Sequence, residues 1–272
     1  MKKRPTEVAM PPEMIRAAFR VAGDDVLIGG QALAVWVQYF GLTSAPDAAS
    51  ITADVDFLAP SAAAFDRVRS YARALHADVF IPNERAMTAL VGQAYIAVTE
   101  DEIYNIDVLW DVHGFSEGEV AARATTVSID GLNLKVMHPL HVLRSRLANL
   151  YKFTDKQMGR GPMQLRISID VAREFIRAQL RSAPADALAS GRSPIQSYVK
   201  EVEQLAVEDA GRKIASRFGI HVADAIDPSL IPAGPFWSKR WPGLRSLMST
   251  DYAARITASL EESSDAPPDA AF

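Results

Sequence analysis

The stretch Ala53–Ala59 reads ADVDFLA and begins by alternating acidic and apolar residues. Side chains on a β-strand point alternately to opposite faces. An extended chain therefore buries Val55 and Phe57 in a core while Asp54 and Asp56 share the other face. The Cα atoms of the two acids would then lie about 6.6 Å apart. The run predicts a half-buried strand that carries two carboxylates on one side.

A second apolar run, YNIDVLW, repeats this device with Asp107 between Ile106 and Val108. If it pairs beside the first strand, three carboxylates converge. Two like charges at ~4 Å cost about 4 kcal/mol at an effective dielectric constant near 20, so such a cluster needs a compensating partner. The chain has no cysteine, and a hard cation bound by oxygen, Mg²⁺ or Mn²⁺, fits best. The alternative is that the acids are solvated on an open sheet face. We predict Asp54, Asp56 and Asp107 as metal ligands.

Two glycines interrupt the buried run VLIGGQALAVW. They end a short strand and lead into a helix that we expect to begin near Gln31 or Ala32. A helix N-terminus offers free N–H groups and a partial positive charge, and glycine lets a phosphate approach the backbone. Ordinary turns explain most Gly-Gly pairs. Followed by Asp-x-Asp on the next strand, the pair predicts Gly29 and Gly30 as a phosphate-binding turn.

The pattern changes along the chain and predicts two domains and a tail. Residues 1–137 mix short strands and helices, including a hairpin that turns at Asp130-Gly131. Residues 138–260 contain long helical stretches, joined by a polar loop, TDKQMGRGP, and by an irregular segment rich in Pro and Trp. Residues 261–272 have the composition of a disordered tail. The fold class predicted is α+β, with a mixed sheet flanked by helices and followed by an all-helical C-terminal domain.

Charge is distributed unevenly along the 272 residues. Residues 1–134 contain 10 Lys and Arg against 18 Asp and Glu, whereas residues 135–181 contain 10 against 3. An acidic part followed by a basic part suits a site where a metal ion meets a polyanion, although chance clustering on solvated helices gives the same counts. The basic start lacks the apolar core of a secretory signal, and no run reaches the ~20 apolar residues that span a bilayer. We expect a cytoplasmic protein without a membrane partner.

These motifs together, IGGQAL, TADVDFL and YNIDVLW, resemble the nucleotidyltransferase superfamily that shares the catalytic fold of DNA polymerase β. Within it, the chain looks most like bacterial minimal nucleotidyltransferases and AbiEii-type toxins. The later stretch HPLHVLRSRLANL is similar to their Pro-led helix, with Arg146 where lysine usually stands. The stretch LRISIDVAREF matches their next helix in part, since Asp170 keeps one acid and Ile167 replaces the other.

The resemblance implies two-metal phosphoryl transfer from a nucleoside triphosphate, ATP among the candidates, to an acceptor hydroxyl. Asp54, Asp56 and Asp107 would be both catalytic and metal-binding. Residues Gly29, Gly30 and Gln31 would hold the triphosphate, and Arg146, Lys152 or Arg160 would offset charge on the pyrophosphate. The alternative for each of these three residues is an ordinary place on the protein surface, without a role in nucleotide binding. The implied acceptors are tRNA or another RNA, and the implied protein partner is a cognate antitoxin.

Two other functions fit the sequence. One is a non-catalytic nucleotidyltransferase-like module that binds a nucleotide or a partner. The other is a small-molecule adenylyltransferase acting on an antibiotic. Two further signals favour structural roles: His138 and His141 lie three apart on a helix, and Trp237 and Trp241 flank Lys239-Arg240.

Overall fold

A computed structural model describes residues 5–43, 45–59, 64–83, 86–184, 193–231 and 236–264. The chain divides into two compact units, Met1–Asn149 and Leu150–Phe272. The first combines an open mixed sheet with helices, and the second is helical in its described parts. The predicted fold class is therefore confirmed.

The sheet of the first unit contains eight strands within the described residues. They are β1 (Thr6–Glu7), β2 (Val26–Ile28), β3 (Val55–Leu58), β4 (Asp78–Phe80), β5 (Leu90–Ala97), β6 (Glu102–Leu109), β7 (Thr125–Ile129) and β8 (Leu132–Val136). The strand order is β4-β5-β6-β3-β2-β8-β7, and β1 also pairs with β6. β3 and β6 are parallel, whereas β2 and β3 are antiparallel. The two strands predicted to carry acids are thus neighbours at the centre of the sheet.

Helices of the first unit agree in part with the sequence pattern, since the helix after β2 begins at Gly29 rather than near Gln31 or Ala32 as expected. They are α1 (Pro12–Val21), α2 (Gly29–Phe40), α3 (Ala48–Ile51), α4 (Ala64–Leu75), α5 (Glu119–Ala122) and α6 (Pro139–Lys152), the last of which continues past Asn149. The Phe57 ring stacks on Tyr71 of α4 at 4.6 Å and meets Phe19 of α1 edge-on at 6.4 Å. Phe57, Ile106 and their neighbours on this face are fully buried. The apolar half of the alternating strands therefore builds the core beneath α1 and α4.

The hairpin turn was predicted correctly. β7 and β8 pair antiparallel with Ile129 opposite Leu132. Asp130 has φ 50° and Gly131 has φ 78°, which is the left-handed backbone that a two-residue turn requires. Gly41, with φ 63°, ends α2 in the left-handed conformation that is common at helix C-termini.

The described part of the second unit is helical, and two partly buried arginines join its long helix to a later segment. Its helices are Thr154–Met158, Gly161–Arg181, Gln196–Val207, Asp209–Phe218, Trp241–Leu247 and Thr250–Ser264. Arg173 donates from Nε and Nη2 to the carbonyl oxygen of Asp224, at 2.8 and 2.6 Å. Arg177 pairs with Asp227 at 2.8 Å. Burial raises the pKa of Asp227, but the hydrogen bonds from Ser229 and Arg177 outweigh burial and lower the pKa below its usual value. The long helix is thereby fixed to the irregular segment that follows Phe218.

Several local expectations differ from the structure. The boundary between the units falls inside α6 rather than before it. Part of the expected loop TDKQMGRGP is a short helix, and the helical stretch over residues 195–219 is divided at Glu208, where ψ is 161°. The last helix extends to Ser264, so the first residues of the expected tail are helical, and residues 265–272 lie outside the described part. None of the helices in that part is long and apolar enough for a bilayer.

Candidate functional site

Two of the predicted acids lie side by side on the central strands. Asp56 of β3 is the register partner of Asp107 of β6. Paired residues on neighbouring strands point to the same face, and their Cα atoms are separated by the strand spacing of about 4.8 Å. The opposite face at this point holds buried Phe57 and Val108. The convergence predicted for Asp56 and Asp107 is therefore present.

Asp54 lies in the bend just before β3 rather than within the strand. Its Oδ1 accepts a hydrogen bond from the Thr52 hydroxyl at 2.5 Å. Asp54 nevertheless lies within electrostatic reach of both other acids, because its charge raises the pKa of Asp56 and of Asp107. The three acids form one cluster, although only two belong to strands.

The glycine pair lies against this cluster. Gly29 opens α2 with φ 69°, and a Cβ placed on it would lie 1.9 Å from Oδ2 of Asp56. A Cβ on Gly30 would lie 2.4 Å from the hydroxyl oxygen of Thr52. The two glycines therefore make room for side chains of the acidic segment, and that room is already filled. Positions 29 and 30 therefore require glycine because a larger residue would collide with Asp56 or Thr52. The sequence alone does not reveal this reason.

Two polar residues that sequence reasoning missed hold Asp107 in place. Its Oδ1 accepts from Nε2 of Gln93 at 2.8 Å and from Nδ2 of Asn105 at 2.7 Å. Asn105 is fully buried and also donates to Oε1 of Glu7 at 3.2 Å. Asn105 shares a strand face with Asp107, so the spacing N-x-D was a usable signal. Gln93 comes from a strand more than ten residues earlier, and no local pattern marks it.

Burial and the charge of Asp54 raise the pKa of both Asp56 and Asp107. Desolvation raises the pKa of Asp56 well above its usual value, and the charges of Asp54 and Asp107 raise it further. Desolvation also raises the pKa of Asp107, against the hydrogen bonds from Gln93 and Asn105, which lower it. The cluster thus favours whatever removes negative charge: a proton or a cation.

Arg146 of α6 is the basic residue that the structure brings to the acids. Burial lowers the pKa of its guanidinium, and the charges of Asp56 and Asp54 oppose that shift. An arginine stays charged under all ordinary conditions, so it offsets part of the repulsion. The reading of Arg146 as an ordinary surface residue is wrong, since it is partly buried beside the cluster.

The donor atoms of the cluster suit a hard cation in their chemistry. Three carboxylates supply the oxygen ligands that Mg²⁺ prefers, and the carbonyl oxygen of buried Asn105 has no hydrogen-bond donor among the described residues. As the side chains stand, however, the described residues contain no group of three or more His, Asp or Glu that is arranged to hold a metal ion.

Gln31, Lys152 and Arg160 are the remaining predicted site residues. Gln31 is buried and lines a cavity whose walls include none of the three acids. Lys152 belongs to the second unit, where it is exposed and its Nζ lies 5.8 Å from the centroid of the Phe153 ring. Arg160 is exposed at the start of the long helix Gly161–Arg181.

The signals that favoured structural roles have packing partners. His138 is buried, its Nδ1 accepts from the Leu140 backbone at 3.2 Å, and burial lowers its pKa to about 3. The Trp237 ring lies 5.4 Å from that of Trp241, and its Nε1 donates to the carbonyl of Ile231. Ile167, which replaces an acid of the second motif, is a buried core residue.

No family model and no curated protein matches the chain. Among solved structures it resembles a crystal structure of an antigenic nucleotidyltransferase-like protein from Paracoccidioides brasiliensis, at 12% sequence identity and a TM-score of 0.40. The match covers 79% of this chain and 95% of the other. Activity has to be argued from this chain's own residues.

Proposed function

We propose that this protein is a Mg²⁺- or Mn²⁺-dependent nucleotidyltransferase that moves a nucleoside monophosphate from a nucleoside triphosphate to an acceptor hydroxyl. The observation that carries the proposal is the pairing of Asp56 with Asp107 on parallel central strands, with Asp54 in electrostatic reach and Gly29 in contact. A structural role alone gives no reason to gather three carboxylates beside a strand-to-helix junction, because the charges of Asp54 and Asp107 add to the burial that raises the pKa of Asp56.

In this proposal Asp54, Asp56 and Asp107 would hold the divalent ions. When bound, such ions stabilise the entering and leaving oxygens of a phosphoryl transfer. Asp107 is fixed by Gln93 and Asn105, so it would accept the proton of the attacking hydroxyl. The oxygen of that hydroxyl bonds to the α-phosphorus as the bond to the β-phosphate oxygen breaks, and pyrophosphate leaves.

Arg146 and the start of α2 would deal with the phosphate charge. In this proposal the first N–H groups of α2, which no side chain among the described residues caps, would donate to phosphate oxygens. The Arg146 guanidinium already compensates Asp54 and Asp56. If cations neutralised the acids, the guanidinium would form an ion pair with the leaving pyrophosphate.

The acceptor we favour is RNA, such as a tRNA 3′ end. The support is the basic composition of residues 135–181 and the helix motif that resembles the AbiEii-type toxins. The same transfer chemistry would also serve a toxin with a cognate antitoxin. It would equally serve an enzyme whose acceptor is an antibiotic instead of RNA.

A different class of function is favoured by two observations. The Thr52 side chain fills the space beside Gly30, and the described acids do not enclose a metal ion as they stand. A non-catalytic module that binds a nucleotide or a partner would keep the fold and need no cation at this cluster.

The experiment that separates these functions uses nucleoside triphosphates labelled at the α-phosphate. The protein is incubated with each of the four in Mg²⁺ or Mn²⁺, together with total RNA, purified tRNA or aminoglycosides. We expect label on RNA with the wild type, no label with Asp56→Asn or Asp107→Asn, and unchanged labelling with Asp101→Asn, an exposed acid. Label on a drug alone would replace the acceptor, and no label in any pool would favour the binding module.

A further inference from the structure

A cavity of about 180 Å³ lies between α1, α2 and the β7–β8 hairpin, within the first unit. Its apolar walls come from all three elements and consist of Ile15, Phe19, Ala34, Val35, Ile129 and Leu132. An apolar cavity of about 150 Å³ is large enough for benzene. The space therefore suits a ligand with one or two fused rings, part of which remains at the opening.

One polar side chain inside this cavity lacks a partner. Gln31 is 6% exposed and lines the wall. Its amide makes no hydrogen bond to any residue in the described part of the chain. The amide therefore faces an open space, and a ligand that fills this space has to supply both a donor and an acceptor to replace water at the amide.

The opening of the cavity is marked by an ion pair. Arg16 of α1 and Asp130 of the hairpin turn also line the cavity, and they meet at 2.6 Å with about half of each side chain exposed, 52% in both cases. The pair joins two of the three walls at the solvent side. Gln38, about two helical turns beyond Gln31 on α2, also lines the cavity and is exposed.

We propose that this cavity, which we call the Gln31 pocket, binds a planar, uncharged heteroaromatic ring with an adjacent donor and acceptor, of the kind found on adenine. The Gln31 amide matches such an edge with two parallel hydrogen bonds, as glutamine does with the N6 and N7 atoms of adenine in nucleic acids. The apolar walls enclose the ring faces, and the Arg16–Asp130 pair bounds the opening. The pocket is separate from the acidic cluster, so this inference does not depend on the proposed transferase activity.

The test is a titration of the whole protein with adenine in EDTA, followed by amide chemical shifts in heteronuclear NMR. We expect a dissociation constant of about 1 mM or tighter, with shifts confined to the pocket residues and the Gln31 side-chain amide. Gln31→Met keeps the side-chain size but removes both hydrogen bonds, and it should weaken binding roughly tenfold. N6,N6-dimethyladenine, which lacks the N6 donor, should lose binding to a similar degree.

Two controls keep the result specific. Gln204→Met changes an exposed glutamine of the second unit and should bind adenine as the wild type does. Asp56→Asn should also leave adenine binding unchanged, which separates this site from the acidic cluster. The proposal is overturned if adenine shifts no pocket residue at several millimolar, or if Gln31→Met binds as tightly as the wild type.

Discussion

At the scale of single residues, the structure explains why the chain keeps acids in an apolar run. Asp56 contacts Gly29, pairs in register with Asp107 and lies near the charge of Arg146. Each contact limits what can replace Asp56. Asp56 is thus the acid whose pKa the neighbouring charges raise and whose side chain lies against Gly29.

The first prediction concerns the charge of Asp56 in protein without metal. Folding raises the pKa of this carboxyl, so the folded chain binds its proton more tightly than the unfolded chain does. Stability should therefore fall as the pH rises from the unfolded value of about 3.9 through the folded pKa. Asp56→Asn should remove that fall and raise the Tm at neutral pH by a few degrees, about 2–4 °C per kcal/mol for a chain of this size. Thermal melts in EDTA from pH 5 to pH 8, with Asp101→Asn as control, measure this. A lower Tm for Asp56→Asn throughout would contradict it.

The second prediction concerns Gly29. Alanine at this position would be strained by φ 69° and would place its Cβ 1.9 Å from Asp56. Gly41 is a matched control, because its φ is 63° and nothing lies within 4 Å of the point that a Cβ would occupy there. Gly41→Ala should cost about 1 kcal/mol from backbone strain alone, and Gly29→Ala about 3 kcal/mol or more. Chemical denaturation gives both values, and equal losses would show that the contact with Asp56 is unimportant.

The third prediction concerns the support of Asp107. Asn105 and Gln93 donate to the same carboxylate oxygen and lower the pKa that burial raises. Replacing Asn105 by Leu should raise the pKa of Asp107, as measured by carboxyl ¹³C NMR. Asn133→Leu, at an exposed strand position, is the control. An unchanged titration of Asp107 in Asn105→Leu would mean that this hydrogen bond does not hold the acid.

At the scale of elements, α4 is fixed to α1 through a buried acid that the sequence analysis overlooked. Asp25 is 1% exposed and accepts from Nε of Arg67 at 2.7 Å and from the Tyr71 hydroxyl at 2.6 Å. Burial outweighs these hydrogen bonds and raises the pKa of Asp25. Arg67 also donates to the carbonyl oxygens of Val21 and Ala22 at the end of α1.

The fourth prediction follows from this anchor. Removing one partner of a buried ion pair leaves a buried charge, so Arg67→Met should destabilise the protein by about 3 kcal/mol or more. The same helix carries an exposed pair, Arg69 with Asp66, whose side chains are 65% and 78% exposed. Arg69→Met should change stability by less than about 1 kcal/mol. Urea denaturation compares the two, and similar losses would remove the distinction between buried and exposed pairs.

The basic segment looks different once its elements are in place. Five of its cations form ion pairs with acids of their own unit within the described residues: Lys135, Arg144, Lys156, Arg173 and Arg177. Arg144 also donates to the Gly114 carbonyl at 2.5 Å and lies over the Phe115 ring, which fixes the loop after β6 to α6. Net charge along the sequence therefore overstates the positive charge that is free for a polyanion.

At the scale of the whole molecule, the sequence pattern predicted those local features that depend only on residues close together in the chain. The alternation at Val55 and Phe57, the Asp130-Gly131 turn and the end of α2 at Gly41 were all readable, because one strand face or one backbone conformation decides each. The positions of Gln93 and Arg146 were not, since they depend on which strands and helices become neighbours. The break at Glu208 was missed because apolar spacing continues through it and only the backbone angle reveals it.

The central claim is that Asp54, Asp56 and Asp107 bind a divalent cation, and direct titration with Mn²⁺ tests it most sharply. Free Mn²⁺ is followed by electron paramagnetic resonance, with and without a non-hydrolysable nucleoside triphosphate analogue. We predict saturable binding by the wild type and by Asp101→Asn, tighter with the analogue, and loss of that binding in Asp56→Asn and Asp107→Asn. A wild type that binds no Mn²⁺ at millimolar concentration under either condition would contradict the claim.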